Sequence, residues 1–178
     1  MNFRILHYDR LSSTNDLALE LASKQAAEGT VILADYQTHG RGRFKRKWVS
    51  RAGRDLLFSF LLKPRFKAQT APILTHFAAR SVAAVLQKRF SLPAKLKRPN
   101  DVLVGRKKIS GVLTEAASSN GRVEYVVVGI GLNVNSRKTD LPSGATSIYL
   151  ETDRKADPSE ILDLILDDFR KEYDRANR

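Results

Sequence analysis

The fold is decided by residues 101–135, DVLVGRKKISGVLTEAASSNGRVEYVVVGIGLNVN. Within them, two β-prone runs surround Gly105 and predict a hairpin over Asp101–Glu115. Asn120–Gly121 is a strong turn signal, and it leads into a strand over residues 123–135. Strands joined by such short turns pair in antiparallel fashion, so this segment predicts an antiparallel part of a sheet.

The flanking sequence adds helices and further strands. Apolar spacing predicts helices over 14–27, 71–90 and 158–175 and strands over 30–36 and 55–63. Ser13 and Asp16 form a capping pair for the first helix, which we expect to close near Gly29. The order of elements is not the strict strand–helix alternation of a Rossmann fold. We therefore predict an α+β fold, with a mixed, mainly antiparallel sheet and helices packed on one side of it.

Length and composition are typical of a globular protein. The 178 residues are 42% hydrophobic and 28% charged, and no linker or internal repeat divides them, so we predict one domain over 1–178. No apolar run approaches the ~20 residues that cross a bilayer, so we expect no membrane association. The N-terminal residues lack the unbroken apolar core of a secretory signal, which predicts a cytoplasmic protein. With no cysteine and three scattered histidines, the chain predicts no metal site built from these residues.

Positive charge is concentrated in one part of the chain. The formal net charge is +12; residues 1–138 hold 25 Lys and Arg against 9 Asp and Glu, whereas 139–178 hold 6 against 10. A basic region of this kind favours an anionic partner: a nucleotide, a nucleic acid or an acidic protein. A solvated basic surface explains the same excess, so the placement of the charges has to distinguish these interpretations.

The segment 38–54 holds seven Lys and Arg residues and no acidic one. Its centre, GRGRFKRKW over 40–48, combines glycines, which allow close backbone approach, with guanidinium groups, which bind phosphate and carboxylate oxygens. Such a loop can close over a phosphoanhydride or an acyl phosphate, with Trp48 as an apolar wall. An RNA-binding arginine–glycine patch and a disordered basic loop are the alternatives.

Three further segments carry polar residues or glycines on the predicted strands or at their ends. KRPND over 97–101 precedes the hairpin, and KKISG over 107–111 lies on its returning strand, where a lysine can neutralise a substrate carboxylate as it attacks phosphorus. An ordinary hairpin with a lysine-rich, solvated turn explains the same residues. GIGLNVN over 129–135 lacks the third glycine and the following helix of a dinucleotide fingerprint. It indicates either a ligand pressed against a strand or a twisted strand end.

Five short motifs follow one another along the chain. They are STN at 13–15, YQxxGRGRxxRxW at 36–48, KxPND at 97–101, KIxGxLxE at 108–115 and GIGLNVN at 129–135. Together they resemble the biotin–protein ligase family, also called biotin–[acetyl-CoA-carboxylase] ligases. The resemblance implies a mixed sheet flanked by helices, like the core of class II aminoacyl-tRNA synthetases. The related lipoate ligases share that fold but have a different glycine-rich segment, so GRGR favours biotin.

The resemblance also implies roles for individual residues. A biotin pocket is implied for Ser13, Thr14, Asn15, Gln37, Gly40, Arg41, Gly42, Arg43 and Lys108. Contacts with ATP or the adenylate are implied for Arg41, Arg43, Arg46, Trp48 and Asn133. The implied catalytic residues are Lys108, which contacts the carboxylate and α-phosphate, Arg43 in the loop over the phosphate, and Asp101 beside the incoming lysine. No protein metal site is implied.

The implied reaction has two steps and a protein acceptor. Biotin and ATP, the latter with Mg²⁺, form biotinyl-5′-AMP, and the biotinyl group then passes to a lysine of a biotin carboxyl carrier protein. A lipoate or octanoyl ligase and a non-catalytic nucleic-acid-binding module are the alternatives.

The chain departs from the family pattern in several places. Arg98 stands where the family usually has tryptophan, and Phe44-Lys45 stands where many members have Arg-Gly. We expect neither a helix-turn-helix before the core nor a C-terminal β-barrel after it, and therefore no DNA partner. Because family members often dimerise through the sheet, a homodimer is a further expectation.

Overall fold

The computed structural model describes residues 1–64, 72–119 and 122–176. Seven strands are present in this part of the chain: β1 (Arg4–Tyr8), β2 (Thr30–Ala34), β3 (Leu56–Leu62), β4 (Ala94–Lys97), β5 (Asp101–Val104), β6 (Lys107–Ser119) and β7 (Arg122–Leu132). Four α-helices accompany them: α1 (Thr14–Ser23), α2 (Pro72–Phe90), α3 (Ile148–Thr152) and α4 (Pro158–Ala176). None of these helices is long and apolar enough to cross a membrane.

The seven strands form one sheet in the order β1-β2-β3-β7-β6-β5-β4. β1 and β2 are parallel, whereas the other neighbouring strands are antiparallel. The predicted α+β fold with a mixed, mainly antiparallel sheet is therefore confirmed. The predicted hairpin is formed by β5 and β6, and β7 pairs with β6 from Arg122 to Leu132. The turn predicted at Asn120–Gly121 lies outside the described residues.

Helices cover both faces of the sheet, so the prediction that they pack on one side is wrong. On one face, Ala18 and Ala22 of α1 pack with Leu61 of β3. On the other, α2 and α4 pack in a larger core that contains Phe60 and Phe169. Successive side chains of a strand point to opposite faces, so a sheet covered twice buries every residue of a central strand. β3, which is buried along its whole length, shows this directly.

Local boundaries differ from the prediction where the chain turns or runs along the edge of the sheet. α1 ends at Ser23, before 27, because Gln25 adopts a left-handed conformation with φ 63°. Ser13 occupies the N-cap position, but its side chain makes no capping hydrogen bond, so the predicted capping pair is absent. β1, β4 and α3 were not predicted. They are four or five residues long, and β1 and β4 are edge strands whose polar residues break the apolar pattern.

Candidate active site

A cavity of about 350 Å³ lies between the N-terminal end of α1, the loop 40–48 and the strands β5, β6 and β7. Most of the site residues expected from the sequence line it: Ser13, Thr14, Asn15, Gln37, Arg41, Gly42, Arg43, Arg46, Trp48, Asp101 and Lys108. Gly40 and Asn133 are not among the lining residues. The fold thus brings residues of all five motifs to one cavity, and the fifth motif contributes Gly129 and Gly131.

Positive charge dominates this lining. Asp101 is the single carboxylate among the described lining residues, which include seven Lys and Arg: Arg41, Arg43, Arg46, Lys47, Lys97, Arg98 and Lys108. Basic residues from three separate segments of the chain therefore surround a concave space. Such an arrangement focuses positive potential inside the cavity and suits an anionic ligand.

A network of hydrogen bonds builds the wall next to α1. Thr14 donates to Oε1 of Gln37 from its backbone N–H (2.7 Å) and from its hydroxyl (3.0 Å). Asn15 donates from Nδ2 to Oε2 of Glu115, at 2.7 Å. Ser59 of β3 lies behind both residues and contacts the side-chain oxygen of each. Sequence reasoning missed Ser59, because a single polar residue in an apolar strand carries no spacing signal, and it assigned no role to Glu115, the last residue of KIxGxLxE.

The glycines of GIGLNVN make room for side chains of the site. A Cβ at Gly129 would overlap Oδ1 of Asn15, and a Cβ at Gly131 would lie 2.5 Å from Cε2 of Trp48. Residues two apart in a strand share a face, so both glycines open the same side of β7. On β6, Gly111 pairs with Gly131 of β7 and also lies against the indole. A Cβ added at Gly111 would lie 3.2 Å from Cζ3 of Trp48. The motif is thus explained by side chains packed directly on the backbone.

Lys108 and Asp101 form an ion pair in the cavity, with Nζ 2.7 Å from Oδ1. The same Nζ lies 5.6 Å from the ring centroid of Trp48, which is within the range of a cation–π contact. The backbone of Lys108 is held from outside the hairpin: its N–H donates to the carbonyl of Gly144 (2.8 Å), and its carbonyl accepts from the N–H of Thr146 (2.9 Å). These contacts fix a cation, a carboxylate and an aromatic wall side by side.

Arg41 is anchored to the wall of the cavity by two carboxylates. Its guanidinium donates to Asp16 and to both carboxylate oxygens of Glu115, at 3.0 and 3.1 Å. Burial by itself lowers the pKa of Arg41, but the hydrogen bonds and charges of Asp16 and Glu115 outweigh it and raise the pKa above its ordinary value. Arg41 therefore stays charged and fixes one arm of the loop, whereas Arg43 and Arg46 are exposed.

The loop is closed at its base and exposed at its tip. The N–H of Trp48 donates to the carbonyl of buried Gly40 (2.9 Å), and the N–H of Gly42 donates to the carbonyl of Arg46 (2.7 Å). Between them, Phe44 adopts φ 57° and is 80% exposed. Gly40 thus supports the loop without lining the cavity, and a Cβ at this position would lie 3.1 Å from the carbonyl oxygen of Trp48, which favours glycine.

Asn133 is buried behind the lining of the cavity, where its Nδ2 donates to the carbonyl of Thr146 (2.8 Å). The buried carboxylate of Asp55 holds the following residues: it accepts from the N–H of Val134 (3.0 Å) and from the hydroxyl of Ser136 (2.7 Å). Burial raises the pKa of Asp55, although these hydrogen bonds act in the opposite direction. A contact between Asn133 and adenine stays a prediction.

The arrangement agrees with a comparison to known proteins. The model of the biotin/lipoate A/B protein ligase family matches residues 8–133. The chain belongs to this family. All residues that line the cavity fall within the matched range, so the region that characterises the biotin/lipoate A/B protein ligases is also the region that builds the site.

Individual members of the family are similar over most of the chain. The bifunctional ligase/repressor BirA of Bacillus subtilis is 38% identical over 177 residues, which are 97% of this chain and 54% of BirA. The biotin–[acetyl-CoA-carboxylase] ligase of Paracoccus denitrificans is 37% identical over 169 residues, 91% of this chain and 70% of that protein. The structure of the biotin protein ligase from Aquifex aeolicus in complex with biotin and ATP has a TM-score of 0.84 and 34% identity, and the match covers 98% of this chain and 72% of that one. The chain thus spans about half the length of the BirA protein.

Proposed function

We propose that this chain is the catalytic domain of an ATP-dependent biotin–protein ligase. It forms biotinyl-5′-AMP and transfers the biotinyl group to a lysine of a biotin carboxyl carrier protein. The observation that carries the proposal is the cationic cavity in which Lys108, Asp101 and the loop 40–48 meet the polar residues of α1. The Paracoccus relative is a biotin–[acetyl-CoA-carboxylase] ligase, and the similar Aquifex structure holds biotin and ATP, which supports the same activity here.

In the first step, the biotin carboxylate attacks the α-phosphorus of ATP. A bond forms between the carboxylate oxygen and phosphorus, the bond from the α-phosphorus to the bridging oxygen breaks, and pyrophosphate leaves. Lys108 would neutralise the carboxylate and the α-phosphate as they approach, and Arg43 and Arg46 would stabilise charge on the other phosphate oxygens. Positioning and charge stabilisation are the main contributions that a protein makes to such a reaction.

In the second step, the amine of the carrier lysine attacks the acyl carbon of the mixed anhydride. A C–N bond forms, the C–O bond to the phosphate breaks, AMP leaves, and the amine nitrogen gives its proton to water or to Asp101. Asp101, whose side chain is 27% exposed beside Lys108, would orient the incoming amine. The loop and Trp48 would exclude water, which otherwise hydrolyses the anhydride.

Mg²⁺ would act together with ATP. In residues 1–64, 72–119 and 122–176 no group of three or more His, Cys, Asp and Glu side chains could hold a metal ion. Mg²⁺ characteristically binds through one or two carboxylates and the phosphates of a substrate. We therefore expect it to enter with the triphosphate, and Asp101 is the carboxylate that the cavity offers.

The decisive experiment is ATP–pyrophosphate exchange with the purified chain, in parallel reactions with biotin, with lipoate and without either acid. Exchange that requires biotin supports the proposal, and exchange that requires lipoate supports the other branch of the family. No exchange with either acid contradicts both. Incubation with biotin, ATP and a carrier domain then tests the transfer step, which would add one biotinyl group to the acceptor lysine.

Several further properties stay predictions: a single domain over 1–178, a homodimer, a cytoplasmic location and no DNA partner. The nucleic-acid alternative is less favoured because the basic residues line a cavity. Titration with DNA and RNA at increasing salt tests it, because binding that depends on phosphate contacts weakens steeply with ionic strength.

A further inference from the structure

Ser59 is a polar residue at the centre of an apolar, buried strand. Its side chain is 0% exposed, and it lies on β3 opposite Gly129 of β7. Ser59 does not line the cavity, but its Oγ lies 2.7 Å from Oγ1 of Thr14 and 2.6 Å from Oδ1 of Asn15, which both do. The hydroxyl therefore links the wall of the cavity to the middle of the sheet.

The other polar atoms of Thr14 and Asn15 already have partners. Thr14 directs both its N–H and its hydroxyl to Oε1 of Gln37, so the hydroxyl proton of Thr14 is used there. Asn15 directs its Nδ2 to Glu115, so its Oδ1 faces Ser59. Ser59 has one hydroxyl proton and faces two oxygens. Ser59 can donate to only one of them at a time, so among the contacts of the described residues these oxygens keep lone pairs without a donor.

We propose that Ser59 is a positioning residue that makes this wall of the cavity an acceptor for ligand N–H groups. By holding Thr14 and Asn15, it presents an oxygen lone pair whose complement is a ring that donates N–H, as a cyclic urea does. A ring of carbon and sulfur, such as a dithiolane, offers no donor and leaves that oxygen unpaired. This inference rests on the proposed function and extends it, because Ser59, which lies behind the wall, would determine the preference for a cyclic urea over a dithiolane.

The test compares four proteins: wild type, Ser59→Ala, Ser59→Cys and Ser81→Ala. Each is titrated calorimetrically with biotin, desthiobiotin, 1′-N-methylbiotin and ATP. Desthiobiotin keeps both ring N–H groups, whereas 1′-N-methylbiotin has lost one. Ser81 is the matched control, because it is also 0% exposed but lies on α2, and its hydroxyl has no hydrogen-bond partner among the described residues. Ser59→Cys keeps nearly the same side-chain volume but has a weaker hydrogen-bond donor. If thermal melting shows that Ser59→Ala is unfolded, the comparison is made with Ser59→Cys instead.

We expect Ser59→Ala to weaken the binding of biotin and desthiobiotin about tenfold or more, because Thr14 and Asn15 lose their fixed orientation. The binding of 1′-N-methylbiotin and of ATP should change by about twofold at most, Ser59→Cys should be intermediate, and Ser81→Ala should match wild type. Unchanged biotin affinity in Ser59→Ala overturns the inference alone. Equal weakening of all four ligands also overturns it, because Ser59 then only supports the fold. A wild-type chain that does not bind biotin overturns the proposed function together with the inference.

Discussion

The side-chain nitrogen of Lys108 lies 2.7 Å from Oδ1 of Asp101, and both side chains reach the cavity. The two residues lie on the neighbouring strands β6 and β5, and a register irregularity between Val102 and Leu103 shifts their alignment. With exposed fractions of 37% and 27%, such a pair contributes little to stability. Under the proposed function, the pair places a cation beside a carboxylate at the position where phosphate and amine would react.

Replacing Lys108 by methionine removes the charge and keeps the length of the side chain. We expect biotin-dependent ATP–pyrophosphate exchange to fall about 10²–10³-fold, because one group that stabilises developing charge is lost. Lys107→Met is the matched control: Lys107 is adjacent in the chain but pairs with Glu151 at 3.3 Å, so its exchange rate should stay close to wild type. An unchanged rate in Lys108→Met contradicts the catalytic assignment.

The packing of Trp48 on Gly131 predicts a spectroscopic change, because Trp48 is the only tryptophan of the chain. In Gly131→Ala the new Cβ would lie 2.5 Å from Cε2 of the indole, so the ring has to move toward water. We expect red-shifted emission and stronger quenching by acrylamide. Gly129→Ala is the control on the same face of β7: it displaces Asn15, so biotin affinity should fall while the emission stays close to wild type. Identical spectra for Gly131→Ala and wild type contradict the packing.

Asp140 predicts a stability difference that depends on pH. Partial burial alone would raise the pKa of Asp140, but the N–H of Arg137 and the guanidinium groups of Arg54 and Arg51 outweigh it and lower the pKa below its ordinary 3.8. Because the pKa of Asp140 is lower in the folded state than in the unfolded state, its contribution to stability is complete above pH 3.8. That contribution is lost as the pH falls through the pKa of the folded state.

We therefore expect Asp140→Asn to be less stable than wild type in urea denaturation at about pH 7, and the difference to shrink below about pH 3.5. Asp163→Asn, at an exposed position on α4, is the control, and its free energy of unfolding should match wild type at about pH 7. A difference for Asp140→Asn that persists unchanged at low pH excludes an electrostatic cause.

Phe169 of α4 connects the helix to the central strand. Its ring centroid lies 4.8 Å from that of Phe60 and 5.8 Å from that of Tyr173, and its side chain is 0% exposed. We expect Phe169→Ala to lower the free energy of unfolding by about 3–5 kcal/mol, because it leaves a cavity in a well-packed core. Leu164→Ala on the same helix, at a position that is 37% exposed, should cost much less in the same denaturation experiment. Equal losses would show that α4 does not pack as described.

The central elements were predictable because their residues carry a local pattern. The apolar run of β3, the turn residues around Gly105 and the helical spacing over Pro158–Ala176 each encode an element without reference to the rest of the chain. β1 and β4 were not predictable in this way. They are short edge strands, and the sheet beside them supplies the pairing that their own sequences do not signal.

By itself, the sequence determined the types of the main elements and, through the order of its motifs, the family and eleven of the residues that line the cavity. Only the tertiary structure decided which of these residues touch. Ser59 meets Asn15 from 44 positions away, and Asn15 packs on Gly129, because β3 and β7 are neighbours in the sheet and α1 crosses both. Residue periodicity specifies which side of a strand is buried, but the order of strands and the helix on each face arise from packing among distant segments. The same limit explains why the sequence predicted helices on one face, whereas the structure has them on both.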